Sequence, residues 1–439
     1  MKIYDYKTLL DSEKDSILSR PLSSKNKALK SAVGEILQNV YSNKDAALYE
    51  YTRKYDGVAL DDLRVSDAEF EAALQSVSEE EVNLIKKVIQ RVENYHREIK
   101  PKTLIVDTED GVICQKLYHA IESVGLYVPG GSAPLISTLI MLAVPAKIAG
   151  CQNISVCTPC DKTKKIHPLL LVAAQLCGVR CVYKIGGAQA IAAMAYGTES
   201  IAKVNKIYGP GNSWVTEAKL QVSQDAKGAA IDLPAGPSEV LVIADQKANA
   251  RYIASDLLAQ LEHGVDSQAI LLTNSEKLVD KVQNEVTNLS KILTRQSILT
   301  KSIQNLVIVL TESLDEAVRL SNQYAPEHLI INTDNAKALL SQVMAAGAVF
   351  IGQYAAEALG DYLTGSNHVL PTSGFAKSYG GLETRDFMVA ISVQEVSDIG
   401  IKNIGKMASK LALTEGLDAH ALAVDIRLKD LEKAVFYEL

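Results

Sequence analysis

Along the first hundred residues the apolar positions recur with the period of a helix; from residue 124 onward they arrive as short Val- and Ile-rich runs that alternate with helical stretches. The clearest helix is "SVSEEEVNLIKKVIQRVENYHREI", where Val82, Ile85, Val88, Ile89 and Val92 share one face. Ser78, with Glu81 three residues later, has the form of a capping box. Residues 24 to 99 are read as helical on this pattern. A hairpin follows, "TLIVDT" and "VICQKLYHAI", turned at Glu109-Asp110-Gly111.

In the second region "VGLYV" leads through Pro129-Gly130-Gly131 into a helix over 135 to 149. "NISVCTP", "PLLLVAAQLCG", "VRCVYKIG", "AQAIAAMAYG" and "VNKIYGPG" come next, before a helix over 213 to 222. This alternation predicts right-handed βαβ crossovers and parallel sheets. The rhythm pauses at "AAIDLPAGPSEVLVIAD", around Pro234, Gly236 and Pro237, then resumes from "YIASDLLAQLEHG" through "QAILLTN", "NLVIVLT", "AVRLSNQY" and "HLIIN" to "AVFIG". The last fifty residues turn helical again. The expected class is α/β: two Rossmann-like parallel-sheet domains with helical N-terminal and C-terminal additions. The boundaries are an N-terminal arm over 1–22, a larger α/β domain over 23–124 plus 237–383, a second Rossmann-like domain over 125–236, and a helical subdomain over 384–439.

Apolar residues make up 47% and charged residues 22% of 439 positions, which excludes a disordered or fibrous chain and leaves ample core for two or three domains. A formal net charge of -7 without a basic cluster argues against nucleic-acid and anionic-membrane partners. The most apolar window, "PLISTLIMLAVPAKIAG", is interrupted by Ser137, Thr138, Pro145 and Lys147 and is too short to span a bilayer. The opening "MKIYDYKTLLDSEKD" lacks the apolar stretch of a signal peptide, and the six cysteines all lie between 114 and 181. Reduced thiols and a cytoplasmic location are expected.

Candidate chemistry starts at "NQYAPEHLIIN". Inside a strand, Glu327 and His328 would point to opposite faces, so the pair is expected on a short irregular segment after Pro326, at the mouth of the strand "LII". A solvated Glu and a backbone-satisfied His at a loop corner would use the same letters. Gln260 and His263 lie three apart, with Gly264 able to end their helix and leave His263 in its final turn; an amide and an imidazole so spaced can share one cation, or merely close a helix. Asp361 and His368 fall in a Gly-rich loop after a helix, and Glu415 and His420 in the helical tail. Cys157-x2-Cys160 and Cys177-x3-Cys181 approximate a four-thiolate zinc pattern, although a helix end and a strand are poor places for its knuckles. The glycine turns "VPGGSAP" and "IYGPGNS" each link a strand to a helix, as a phosphate-cradling turn does, but neither is G-x-G-x-x-G.

Taken in order, "GLYVPGGSAPL", "GGAQAIAAMAYGT", "IYGPGN", "IDLPAGPSEVLVIAD", "LEHG", "YAPEHL", "GDYLTGSNHVLPTSG" and "EGLDAHA" resemble the histidinol dehydrogenase family from about residue 20 to the end. The resemblance implies oxidation of L-histidinol to L-histidine through a bound aldehyde, using NAD and one zinc ion per chain. It implies an aldehyde-dehydrogenase-like fold and a homodimer that shares each zinc site between subunits. By similarity Gln260, His263, Asp361 and His420 match zinc ligands, and Glu327 with His328 match an acid-base pair. Ser238, Glu415, His328 and Asp361, with the zinc-binding side chains, match substrate contacts, while Tyr127, Gln189 and Asn212 match NAD contacts.

The residue chemistry suits those roles. One carboxylate and three neutral ligands leave a zinc ion positive and able to hold an imidazole and an amine. An alcohol oxidation followed by an aldehyde oxidation at one carbon calls for two proton acceptors within reach of it, as Glu327 and His328 would supply. Two other classes use the same letters: an aldehyde dehydrogenase with a cysteine nucleophile, and a non-catalytic zinc scaffold held by the four thiolates.

Overall fold

The computed structural model describes residues 1–20, 27–130, 134–234 and 236–437. The end of the expected arm, the first residues of the expected helical region and Gly131 of the first glycine turn lie outside the described residues. Contacts divide the chain into two compact units, Met1–Ile99 with Ile121–Phe387, and Lys100–Ala120 with Met388–Leu439. Among the described residues the strands are β1 (Lys2–Asp5), β2 (Leu104–Glu109), β3 (Val112–Ala120), β4 (Ser123–Tyr127), β5 (Asn153–Cys157), β6 (Cys181–Tyr183), β7 (Lys206–Tyr208), β8 (Ala230–Ile231), β9 (Glu239–Ala244), β10 (Gln268–Thr273), β11 (Leu306–Leu310), β12 (His328–Asn332), β13 (Ala348–Ile351) and β14 (Met388–Val396).

The first unit holds two parallel sheets, as the alternating pattern requires. One runs β6-β5-β4-β7-β8, the other β1-β11-β10-β9-β12-β13. In each, the first strand of the βαβ series lies inside the sheet, β4 or β9, and the winding reverses beside it, between β4 and β7 and between β9 and β12. Both faces of such sheets are covered, so their central strands are buried along their length: β9 and β10 are buried at every position and apolar between their polar ends.

The capped helix forms as the pattern predicts, over Glu79–Glu98, with Ser78 and Glu81 completing the capping box and Ile85, Ile89 and Val92 buried. The helix Lys27–Tyr51 packs Val33, Ile36, Leu37 and Val40 into one core with Ile191 and Ala192. These helices cover the five-stranded sheet, whereas the expected boundaries grouped 23–124 with the other one. The reason lies in the helix Gly187–Tyr196, which is apolar all round and buried from Ala188 to Ala195, so it needs cover on both sides. Within the expected arm, β1 pairs with β11, Lys2 opposite Val307, and extends the six-stranded sheet.

In the second unit β14-β3-β2 is an antiparallel sheet, with the predicted hairpin turning at Gly111, φ 77°. Two helices, Asp398–Thr414 and Asp418–Tyr437, complete it. The C-terminal region is therefore not wholly helical: "MVAISVQEV" alternates with period two and pairs with β3 along its whole length.

A buried ion pair shapes the loop after β7. Gly209 turns with φ 116°, a conformation that favours glycine. Lys219 donates to its carbonyl oxygen at 2.8 Å, and Asp232 accepts its N–H at 2.7 Å. The two side chains meet at 2.5 Å, 5% and 1% exposed. Because removing one partner leaves the other charge buried, Lys219→Met should lower the free energy of unfolding in urea by about 3 to 5 kcal/mol. Adding Asp232→Leu to that variant should recover most of the loss.

Candidate active site

Glu327 and His328 owe their place to a break in the backbone. The helix Leu314–Tyr324 stops at Ala325, a non-glycine residue with φ 56°, and Pro326 prevents its resumption. β12 then begins at His328, one residue earlier than expected, with His328 opposite Val240 of β9 and Ala348 of β13. Gly347 lets β13 approach, since a Cβ there would lie 2.5 Å from the Glu327 carbonyl oxygen. The pair is not solvated: Glu327 is 6% exposed and His328 4%. It also stands at the amino ends of its sheet's strands, whereas open α/β sheets ordinarily bind ligands at the carboxyl ends.

The backbone of one residue, Glu239, holds both side chains. The Glu239 N–H donates to Glu327 Oε2 at 2.8 Å, and His328 Nδ1 lies 3.1 Å from the Glu239 carbonyl oxygen. A carbonyl can only accept, so Nδ1 carries the proton and Nε2 keeps its lone pair. That Nε2 is buried and has no hydrogen-bond partner among the described residues. Burial pushes His328 down to about 3, against the bond to Glu239, so the ring is neutral, with its lone pair at Nε2. Burial pushes Glu327 well above the ordinary carboxyl range; its bond from Glu239 opposes this, while the negative charges of Glu239 and Asp361 add to it.

Of the other expected side chains, Gln260, His263 and Asp361 lie beside this pair, together with Glu357, which was not among those expected. Glu357 and Asp361 lie four apart on the short helix Glu357–Tyr362, and a Glu357 oxygen is 3.6 Å from His328 Nδ1. His328 Nε2 lies 3.9 Å from Asp361 Oδ1. Gln260, fully buried in the helix Ala250–Leu261, has its amide against the Glu357 carboxyl, and hydrogen bonding assigns the nitrogen to that side, where it donates to Oε1 and, at 3.2 Å, to Oε2. This orientation directs its carbonyl oxygen away from Glu357. His263 is exposed; packing around the ring lowers its pKa and Asp361 raises it, while burial raises Asp361 and His263 lowers it. Two placements differ from expectation. The helix carrying Gln260 ends at Leu261 with Glu262 as its cap, so His263 lies just beyond it. Asp361 is in a helix, not a loop, because Gly360 does not stop that helix: a Cβ there would press on the Phe350 ring at 2.5 Å.

An open cleft of about 360 Å³ is lined by Ser238, Glu327, His368, Asp232 and the Gly209-Pro210 turn. His368 is held by Thr138 Oγ1 at 3.2 Å and the Asp361 carbonyl at 3.0 Å. At the five-stranded sheet the expected NAD contacts follow the carboxyl ends of strands. Tyr127 ends β4, its hydroxyl accepts from Gly187 N–H at 3.0 Å, and burial pushes its pKa up to about 12. Gln189 lies in the first turn opened by Gly187. Asn212 caps the helix Ser213–Gln224 through Oδ1, leaving its NH2 group to offer. Glu415 and His420 belong to the second unit, exposed around the turn between its two helices.

All six cysteines are free thiols. Burial pushes Cys157 and Cys177 up to about 12 and Cys151 to about 11, which disfavours a thiolate nucleophile there. Among the described residues no three His, Cys, Asp or Glu side chains gather as a metal site, and this removes the four-thiolate scaffold. The expected zinc set draws only His263 and Asp361 of those types from this unit, with the Gln260 amide beside them, so that absence does not bear on it. The chemistry of this set fits a cation: burial pushes the carboxyls of Asp361 and of the neighbouring Glu327 and Glu357 upward, and positive charge held by Gln260, His263 and Asp361 would offset that cost. Sequence reading missed Glu239, Glu357 and Arg20. The four-residue spacing from Glu357 to Asp361 was a usable signal, and so was a glutamate opening the apolar run of β9.

The family model described as histidinol dehydrogenase matches residues 19–428. The histidinol dehydrogenase of Legionella pneumophila (strain Paris) is 47% identical over 432 residues, covering 98% of this chain and 99% of that protein. That of Xanthomonas oryzae pv. oryzae is 49% identical over 428 residues, covering 98% and 99%. The crystal structure of histidinol dehydrogenase from Elizabethkingia anophelis superposes with a TM-score of 0.95 at 43% identity, covering 98% of this chain and 99% of that one. The chain thus belongs to the histidinol dehydrogenase family.

Proposed function

We propose that this protein oxidises L-histidinol to L-histidine through L-histidinaldehyde, with NAD as oxidant and one zinc ion per chain, in the final steps of histidine biosynthesis in the cytoplasm. The observation that carries the reading is the bare, buried Nε2 of His328 beside the Glu327 carboxyl. When bound, zinc would grip the substrate and supply the positive charge that the carboxyl cluster lacks, and NAD would accept the hydrides.

The side chains then divide the proton work. His328 Nε2 takes the hydroxyl proton in the alcohol step, and the resulting imidazolium is stabilised by the Glu357 and Glu327 oxygens, 3.6 and 3.7 Å from Nδ1. Glu327, facing the cleft, takes a proton from the water that attacks the aldehyde carbon. Ser238 lines the same cleft and orients the substrate, and Gln260, His263 and Asp361 would hold the metal. Tyr127, Gln189 and Asn212 would hold the dinucleotide where the five-stranded sheet reverses its winding, the usual crevice for such a ligand.

His420 of the partner subunit would complete the metal site, and Glu415 of the partner subunit would reach the substrate. Support for a homodimer comes from the second unit, whose helices leave Met407, Leu411, Leu413 and Leu422 between 55% and 67% exposed. No described helix is long and apolar enough to cross a membrane.

L-Histidinol with the purified protein should yield NADH, chelation should abolish that, and zinc should restore it; NADH formation untouched by thorough chelation would refute the zinc role. Metal analysis should find one zinc per chain, lost in His263→Ala and retained in Cys157→Ala. With the aldehyde supplied separately, Glu327→Gln should slow aldehyde oxidation by about a hundredfold more than alcohol oxidation. Equal losses in the two steps would remove the role given to Glu327.

A further inference from the structure

Arg20 reaches the candidate site from the N-terminal end of the chain. Its Nε and Nη2 donate to the two carboxylate oxygens of Glu239 at 2.5 and 2.9 Å, a two-pronged pairing that only a guanidinium makes. Nη2 also donates to the carbonyl oxygens of Tyr324 at 2.9 Å and Ala325 at 3.3 Å. The guanidinium lies over the Tyr324 ring, 3.9 Å from its centroid. Glu239 is itself 3% exposed, and its Oε1 further accepts the Ser373 N–H at 3.0 Å.

Each of these contacts is one step from the Glu327 and His328 pair. Glu239 is the residue whose peptide N–H binds Glu327 and whose carbonyl binds His328. Tyr324 and Ala325 carry the left-handed turn that delivers the chain to Pro326 and Glu327. A non-glycine residue holds such a φ only where its surroundings over-determine it, and the two carbonyls bound by Arg20 flank it. Arg20 also neutralises Glu239, whose negative charge would otherwise act in full on the neighbouring Glu327 carboxyl.

We propose that Arg20 is a positioning residue for the acid-base pair: through Glu239 and the Ala325 turn it fixes the Glu327 carboxyl and the His328 ring that leaves Nε2 bare. The inference rests on the reading of Glu327 and His328 as the proton-transfer pair. It predicts that a lysine, with a single ammonium, cannot replace the guanidinium fork, although it retains the charge.

The first test needs no activity. In the full-length protein labelled with nitrogen-15 at histidine, the signal assigned to His328 by its loss in His328→Asn should report the Nδ1–H tautomer. Arg20→Lys and Arg20→Ala should shift it to a mixture of tautomers, and an unchanged His328 spectrum in both variants overturns the proposal. In turnover, Arg20→Lys should lose about tenfold to a hundredfold in kcat with KM for L-histidinol nearly unchanged. Methylguanidinium added to Arg20→Ala should restore kcat saturably without raising its Tm. Variants that lose only Tm and keep kcat assign Arg20 to stability alone and overturn it too. Should Arg20→Ala not fold, the lysine variant decides by the same spectrum and kcat. A wild-type protein that makes no NADH from L-histidinol counts against the function proposed above, and the tautomer measurement still judges Arg20.

Discussion

The candidate site depends on the register of β12 against β9. His328 opposite Val240 brings the Glu239 backbone between the two side chains, so the N–H and the carbonyl of one residue orient a carboxyl and an imidazole together. A slip of one residue would turn His328 to the other face of the sheet and exchange the buried set of β12. The register is held at both edges of the strand, because β12 is sandwiched between β9 and β13 and buried at all five positions. A site made of backbone groups in a parallel sheet cannot drift without unpairing the sheet, and that rigidity is what a proton-transfer geometry needs.

Electrostatics supplies the second constraint. Burial lifts Glu327, Glu357 and Asp361 above their ordinary range while it lowers His328, so the surroundings disfavour charge on all four groups. Such crowding is costly for stability and hard to explain as packing. It becomes intelligible if a cation and a cationic substrate enter the space, because opposite charge lowers the same carboxyl groups that burial raises. The Gln260 amide, tied by its nitrogen to Glu357, would then present oxygen, a donor without charge, to the space that Asp361 already faces.

Much of this was legible in the chain, and the failures have local causes. The Glu79–Glu98 helix and the βαβ series were readable because periodicity and caps agree over many residues. His263 was set in a helix's final turn because Gly264 was read as its stop, and Asp361 in a loop because glycines lie on both sides of it. Gly264 follows a helix that had ended three residues earlier, and Gly360 serves close packing inside one. β1 escaped notice because "KIYD" is too short and too charged to read as a strand; its pairing with β11 makes it one. Arg20 carried no local signal whatever, since its partners are 219 and 304 residues away. Which motif pieces belong to one site was readable only from their resemblance to a family, because the contacts joining β9, β12 and the Glu357 helix span too much chain for spacing to reveal.

The two parallel sheets share one topology and use opposite ends of it. The five-stranded sheet offers the carboxyl ends of β4 and β7, where the Gly209 turn, clamped by Lys219 and Asp232, opens the helix capped by Asn212. The six-stranded sheet offers amino ends, where Glu239, Glu327 and His328 meet. The cleft touches both, Gly209 and Pro210 on one side and Ser238 and Glu327 on the other, all within one compact unit. On the proposed function, a dinucleotide on the first sheet and a substrate on the second would face each other across that space, so neither sheet has to hold both reactants. The amino-end location of the acid-base pair follows from this arrangement: the carboxyl ends of the six-stranded sheet do not line the cleft, whereas the residues opening β9 and β12 do. Two copies of one winding pattern can thus build a hydride-transfer site only if one presents its strand ends and the other its strand beginnings.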